Sequence, residues 1–175
     1  MNRILRRLLI MTPALLLIPG LLITGCSGGS QGSSIAIIGE PAPDFTLQDL
    51  DGESVSFSDL KGSPMVINFW NTGCPPCRNE MPHLQAVYEE NRDSGLVLLT
   101  INIGQSVSTI EDFLEENNLT LPVLLDSDGA VTQRYGMPGI PTTFFIDKDG
   151  ILRVKVIGGF PTKAAIDSRL SEIMP

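Results

Sequence analysis

An α/β fold on a mixed central sheet follows from three features of the sequence. Short apolar runs alternate with amphipathic stretches through the middle of the chain, as strands alternate with helices. An alternating segment folded about Asp51-Gly52 precedes them, and two strand-like runs joined by Asp149-Gly150 follow. Strand–helix–strand order implies right-handed crossovers and parallel pairing, and the terminal hairpin makes the sheet mixed.

Taken in order, "DFTLQDLDGESVSF" pairs Phe45 and Leu47 with Val55 and Phe57 across the Asp-Gly turn, predicting an N-terminal β-hairpin. "PMVINFW" (Pro64–Trp70) is short, apolar and fit for a buried strand. A helix should follow through "EMPHLQAVYEEN", interrupted at Pro82, whose missing N–H frees the carbonyl of Arg78 and predicts a kink. "GLVLLTINI" (Gly95–Ile103) is a second buried strand. The next helix has Ser108-x-x-Glu111 as a capping box and Ile110, Phe113 and Leu114 as its apolar side. "LPVLLD" gives a third strand and "GAVTQRYG" a short helix closed by Gly136. "TTFFID" and "ILRVKVIGG" form an antiparallel pair, and the last helix carries Ile166, Leu170 and Ile173 on one face.

Residues 1–25 read as an export signal rather than as part of the fold. Arg3, Arg6 and Arg7 precede an apolar stretch from Leu8 to Leu22. "ITGC" (Ile23–Cys26) resembles the lipobox of bacterial lipoproteins, which implies cleavage before Cys26 and lipid on its sulfur. The competing reading, an uncleaved membrane anchor, is weakened by Pro13, Pro19 and Gly20. "SGGSQGSS" (Ser27–Ser34) is a flexible tether, spanning roughly 15–18 Å on average. The expected organisation is therefore signal 1–25, lipidated Cys26 and tether 26–38, and one domain from 39 to 175. The formal charge of −8 becomes −11 once Arg3, Arg6 and Arg7 are removed. Such an acidic body argues against nucleic acid as a partner and against lying flat on anionic lipid.

With Cys26 assigned to lipid, Cys74 and Cys77 are left alone in "NFWNTGCPPCRNEMP". A pair closing so short a loop removes little chain entropy and makes a poor staple. A zinc site would need two further ligands, and neither a second CxxC nor any histidine besides His83 is present. His83 reads as a surface helix residue. If Cys74 caps the helix that follows, its sulfur faces unpaired N–H groups and the positive end of the helix dipole, which favour thiolate. Cys77, one turn on, is placed to resolve a mixed disulfide. Pro75 and Pro76 suit the first helical positions and offer Cys74 no N–H, biasing the pair toward reduction of substrates.

"NFWNTGCPPCRNEMP" together with "GIPTTFFID" resembles the thioredoxin-like proteins of the TlpA/ResA type, membrane-tethered thiol–disulfide oxidoreductases outside the bacterial cytoplasm. The likeness runs from about Pro41 to Met174. It implies a thioredoxin fold with an N-terminal hairpin and a central helix–strand insertion, Cys74 as nucleophile and Cys77 as buried resolver. It also implies a cis Ile140–Pro141 bond, from which Ile140 would offer N–H and C=O to an extended substrate. Gly136 and Gly139 read as turn residues letting that loop approach the cysteines. Glu80 corresponds to an acidic residue that tunes the thiols; it lies at i+3 from Cys77, where it would raise thiol pKa values and relay a proton.

Two departures stand out. Gly73 replaces an aromatic residue common before the first cysteine, leaving the sulfur more open. Asn68 stands where cytoplasmic thioredoxins carry a buried aspartate. Phe69 reads as core and Trp70 as a substrate-facing residue. The expected partners are a disulfide-bearing protein, with apocytochrome c as the candidate suggested by resemblance, and a membrane thiol transporter as reductant. The chain is expected to be a monomer with no cofactor beyond its redox disulfide. A redoxin-type peroxidase is the alternative enzyme, but Ile67 and Asn71 occupy the Pro and Thr/Ser positions of that motif. A metal-binding protein or metallochaperone is the non-enzymatic alternative.

Overall fold

A computed structural model describes residues 35–174. The expected export signal (residues 1–25), Cys26 and the expected Gly/Ser tether Ser27–Ser34 lie outside the described residues. The packed chain begins earlier than the expected boundary at 39. Ala36 is buried in the core, and the Gly39 N–H donates to the Leu152 carbonyl at 2.8 Å. Ile35, Ile37 and Ile38 flank it and are exposed.

The N-terminal hairpin pairs β1 (Thr46–Asp49) with β2 (Ser54–Ser56). β3 (Met65–Trp70), β4 (Val97–Ile103) and β5 (Val123–Asp126) run parallel, as their apolar continuity predicts. β6 (Thr142–Ile146) and β7 (Leu152–Ile157) form the terminal antiparallel pair. All seven strands make one sheet in the order β2-β1-β5-β4-β3-β6-β7, with β3 at the junction between parallel β4 and antiparallel β6.

Helices cover both faces. α1 (Pro75–Asn91), α2 (Val107–Glu116) and α4 (Lys163–Leu170) share a core with Val66, Trp70, Leu98 and Phe145 on one face. α3 (Ala130–Arg134) packs with Phe45, Ile67, Phe69 and Phe144 on the other. Successive residues of β3 alternate between these cores, which is why all six are buried. Ile173, expected on the last helix, lies just beyond it but is buried.

Two helix expectations change. α1 continues through Pro82, which sits on the exposed side, while Cys77, Glu80, Met81, Leu84 and Val87 form the buried stripe. α2 begins at Val107 with Ser106, not Ser108, as its cap: the Thr109 N–H donates to Ser106 Oγ at 3.3 Å. Ser106 holds the extended backbone that a cap needs, whereas Ser108 is already inside the first turn. No helix among the described residues is long and apolar enough to cross a membrane.

Candidate active site

The site forms where the parallel strands end and their loops meet the start of α1. After Trp70 the chain makes a tight turn on Asn71. Asn71 Oδ1 accepts the Gly73 N–H at 2.7 Å, and its carbonyl accepts the Cys74 N–H at 3.1 Å. Cys74 then becomes the N-cap of α1 in extended conformation, with Pro75 and Pro76 in the first two helical positions. Neither proline has an N–H, so the Cys77 N–H, 3.3 Å from Cys74 Sγ, is the backbone donor to that sulfur. Cys74 and Cys77 form a disulfide, with Cα atoms 5.3 Å apart. Cys74 is half-buried and Cys77 has no exposed surface, which is the asymmetry needed between an attacking and a resolving thiol.

Glu80 lies one turn below Cys77 on the buried stripe and is itself 0 % exposed. Its Oε1 accepts from Asn68 Nδ2 at 2.8 Å and its Oε2 from the Phe160 N–H at 2.9 Å. Burial pushes its carboxyl from 4.5 up to about 7, against the opposing pull of these two donors. The group therefore changes charge near neutral pH. Asn68 also donates to Thr143 Oγ1 at 2.9 Å, while its own Oδ1 is buried and unpartnered. Rotating the Asn68 amide would offer that oxygen to a protonated Glu80, which needs an acceptor for its new O–H.

The Ile140–Pro141 bond is cis. The Pro141 carbonyl accepts the Gly158 N–H at 2.8 Å, tying this loop to the end of β7. Gly139 does not have the role expected of it: a Cβ there would meet nothing within 4 Å. Gly136 is a true turn residue with φ +56°, but the group packed against it is Ile35. The bare backbone that close approach requires is at Gly159, where a Cβ would lie 2.9 Å from the Pro76 carbonyl oxygen. That approach brings the following residue's N–H to Glu80. Nothing in the local sequence of "GGFP" marks this role.

Trp70 is placed differently from expectation. It is 0 % exposed, tilted against Phe113 with ring centroids 5.3 Å apart, and so presents no surface to a substrate. Residues two apart on β3 share a face, so Trp70 follows Val66 and Asn68 under α1, while Phe69 lies in the opposite core as expected. Gly73 is exposed beside Cys74, and His83 is half-buried on α1.

The loops around Cys74 (residues 71–79, 104–109, 136–142 and 157–162) contain a single charged side chain, Arg78.

Similarity to known proteins agrees with this geometry. Residues 38–155 match the AhpC/TSA family. The thiol–disulfide oxidoreductase ResA of Geobacillus thermodenitrificans is 38% identical over 138 residues, covering 79% of each chain. ResA of Bacillus subtilis is 35% identical over 171 residues, covering 97% of this chain and 95% of its own. Among solved structures, StoA of Bacillus subtilis overlays with a TM-score of 0.63 at 32% identity, covering 74% of this chain and 97% of that one. A thiol:disulfide interchange protein of the thioredoxin family from Chlorobium tepidum TLS gives a TM-score of 0.70 at 26% identity, covering 79% and 99%. By this match and these relatives the chain belongs to the AhpC/TSA family, as a thioredoxin-fold thiol–disulfide oxidoreductase.

Proposed function

We propose that this oxidoreductase runs as a reductant of protein disulfides outside the cytoplasm, with Cys74 attacking and Cys77 resolving. The observation that carries the reading is the half-buried Cys74 sulfur capping α1 above a fully buried Cys77. The Cys74 thiolate attacks one substrate sulfur, breaking the substrate S–S bond and forming a mixed disulfide. The Cys77 thiolate then attacks Cys74 Sγ, releasing the substrate as a dithiol and leaving Cys74–Cys77 oxidised. Two electrons pass to the substrate, and the protons lost by the two cysteines end on its thiols.

Glu80, ionising at about 7, is the group that takes the proton from Cys77 and returns it. When ionised it raises the neighbouring thiol pKa by like charge. Ile140 receives the substrate chain. Neither its N–H nor its C=O has a partner among the described residues, so both can bond an extended segment as a strand edge does. Pro75 and Pro76 withhold donors from Cys74, which disfavours the reduced form and strengthens the couple as a reductant.

The likeness to ResA supports a place outside the cytoplasm; the lipobox-like "ITGC" supports lipid on Cys26, and a membrane thiol transporter is the proposed source of electrons. The oxidised CxxCH segment of apocytochrome c is the proposed substrate. An anaerobic titration of the Cys74/Cys77 couple against a dithiol buffer tests the direction, with a potential near about −180 mV or above overturning it. In a stopped assay on an oxidised CxxCH peptide, Cys77→Ser should accumulate the mixed disulfide and Cys74→Ser should form none. The opposite pattern would reverse the assignment of roles. Detergent phase partition of the wild type against Cys26→Ser tests the lipid anchor.

A further inference from the structure

We propose that Gln105, in the loop between β4 and α2, is a positioning residue for the Cys74 nucleophile, an inference that rests on the assignment of Cys74 above. Gln105 lies far from the cysteines in sequence, yet its side chain holds the turn that delivers Cys74. Gln105 Oε1 accepts the Thr72 N–H at 2.8 Å, and Gln105 Nε2 donates to Thr72 Oγ1 at 2.7 Å. The Thr72 N–H can bond only an acceptor, so the orientation of the Gln105 amide is fixed by its partner. Asn102, 1 % exposed at the end of β4, donates Nδ2 to the same Gln105 oxygen at 3.0 Å. The neighbouring Asn71 Nδ2 donates to the Ile103 carbonyl at 3.3 Å. Residues 71 and 72 are thus tied to the end of β4 and the β4–α2 connection by three hydrogen bonds, two of them to Gln105, whose oxygen Asn102 also holds.

The positioning matters because Cys74 has so few donors. With Pro75 and Pro76 providing no N–H, the thiolate depends on one backbone N–H and on its alignment with the start of α1. A sulfur served by three donors tolerates a small displacement; one served by a single donor does not. Freeing Thr72 lets residues 71–74 swing, so the sulfur leaves the helix axis and loses thiolate stabilisation. The charged groups near Cys74 are Glu80 and Arg78 on its own helix. The loops of residues 104–109, 136–142 and 157–162 bring none. All of these are unchanged in the variants below.

The test is the pH dependence of Cys74 alkylation by iodoacetamide in the reduced full-length chain, resolved by mass spectrometry so that only the Cys74 peptide is counted. Gln105→Met, which keeps the shape and removes the bonds, should slow Cys74 alkylation about three- to tenfold below its midpoint and move the midpoint up by about half to one pH unit. The rates should converge once both thiols are fully ionised. Thr72→Val, which removes one of the contacts and spares the backbone bond, should act in the same direction by about twofold, and keeps the test valid if Gln105→Met folds poorly. Tyr135→Phe, which breaks a buried hydrogen bond on the opposite face of the sheet, should lower the melting temperature without moving the midpoint. An unmoved midpoint in Gln105→Met, or a loss of rate equal at every pH and matched by a fall in melting temperature, overturns the proposal. If Cys77 proves to be the alkylated thiol in the wild type, the assignment of the nucleophile fails instead.

Discussion

Glu80 makes the stability of the oxidised protein depend on pH, and Glu80→Gln isolates that dependence. Its carboxyl titrates at about 7 in the fold against 4.5 in an unfolded chain. A raised pKa in an acid means that the folded state holds the proton more tightly. The associated stability is fully present below about 4.5, the unfolded value, and is lost as pH rises through about 7, the folded one. A difference of about two and a half units corresponds to about 3 kcal/mol, nearly all of it lost by pH 8. Glutamine at this position still accepts the Phe160 N–H, and its amide can donate to Asn68 Oδ1 after that side chain rotates. The variant is therefore expected to fold. Urea unfolding of both oxidised proteins from pH 4.5 to 8 measures the effect, because every other titrating group cancels in the difference. The wild type should lose about 3 kcal/mol relative to Glu80→Gln across this range. Parallel curves, or a wild type that gains stability with pH, would refute the argument that burial governs this carboxyl.

Three further substitutions test the close approach beside the site and the packing of the opposite core. Gly159→Ala places a Cβ 2.9 Å from the Pro76 carbonyl oxygen, a backbone atom that cannot turn aside. It should cost about 1–3 kcal/mol in denaturant unfolding and move the Phe160 N–H off Glu80, whereas Gly139→Ala, with open space around it, should cost almost nothing. Tyr135→Phe removes the O–H that donates to the Pro43 carbonyl at 2.9 Å and leaves that buried oxygen unpaired. Its expected cost is about 1–2 kcal/mol, read as a lower denaturant midpoint at unchanged slope.

The strands were legible because their apolar runs are short, bounded and regular. β3 was read within one residue of its start, and both hairpins sit on their Asp-Gly turns. Cys74 was placed as a helix cap because proline at the next two positions is tolerated only at a helix start. The errors fall where two local signals compete. Ser106 and Ser108 both precede the same apolar face, and only the loop geometry chose between them. Pro82 signalled a break, but a helix with its proline on the solvent side can run on when packing of the other face holds it.

The candidates Glu80 and Pro141 came from the family resemblance; by itself, the sequence determined the alternation of strands and helices and the chemistry of the cysteine pair. These depend on periodicity, turn chemistry and spacing, which are properties of neighbouring residues. Tertiary structure decided what no neighbouring residue could reveal. It buried Trp70 rather than exposing it, and brought Gln105 to Thr72 and the Phe160 N–H to Glu80. It also made Gly159, not Gly139, the glycine whose missing side chain lets the segment after β7 touch the start of α1. The physical reason is common to all four. Each depends on a contact between segments at least 33 residues apart, or on which face of β3 meets α1, and both are fixed only when the sheet assembles.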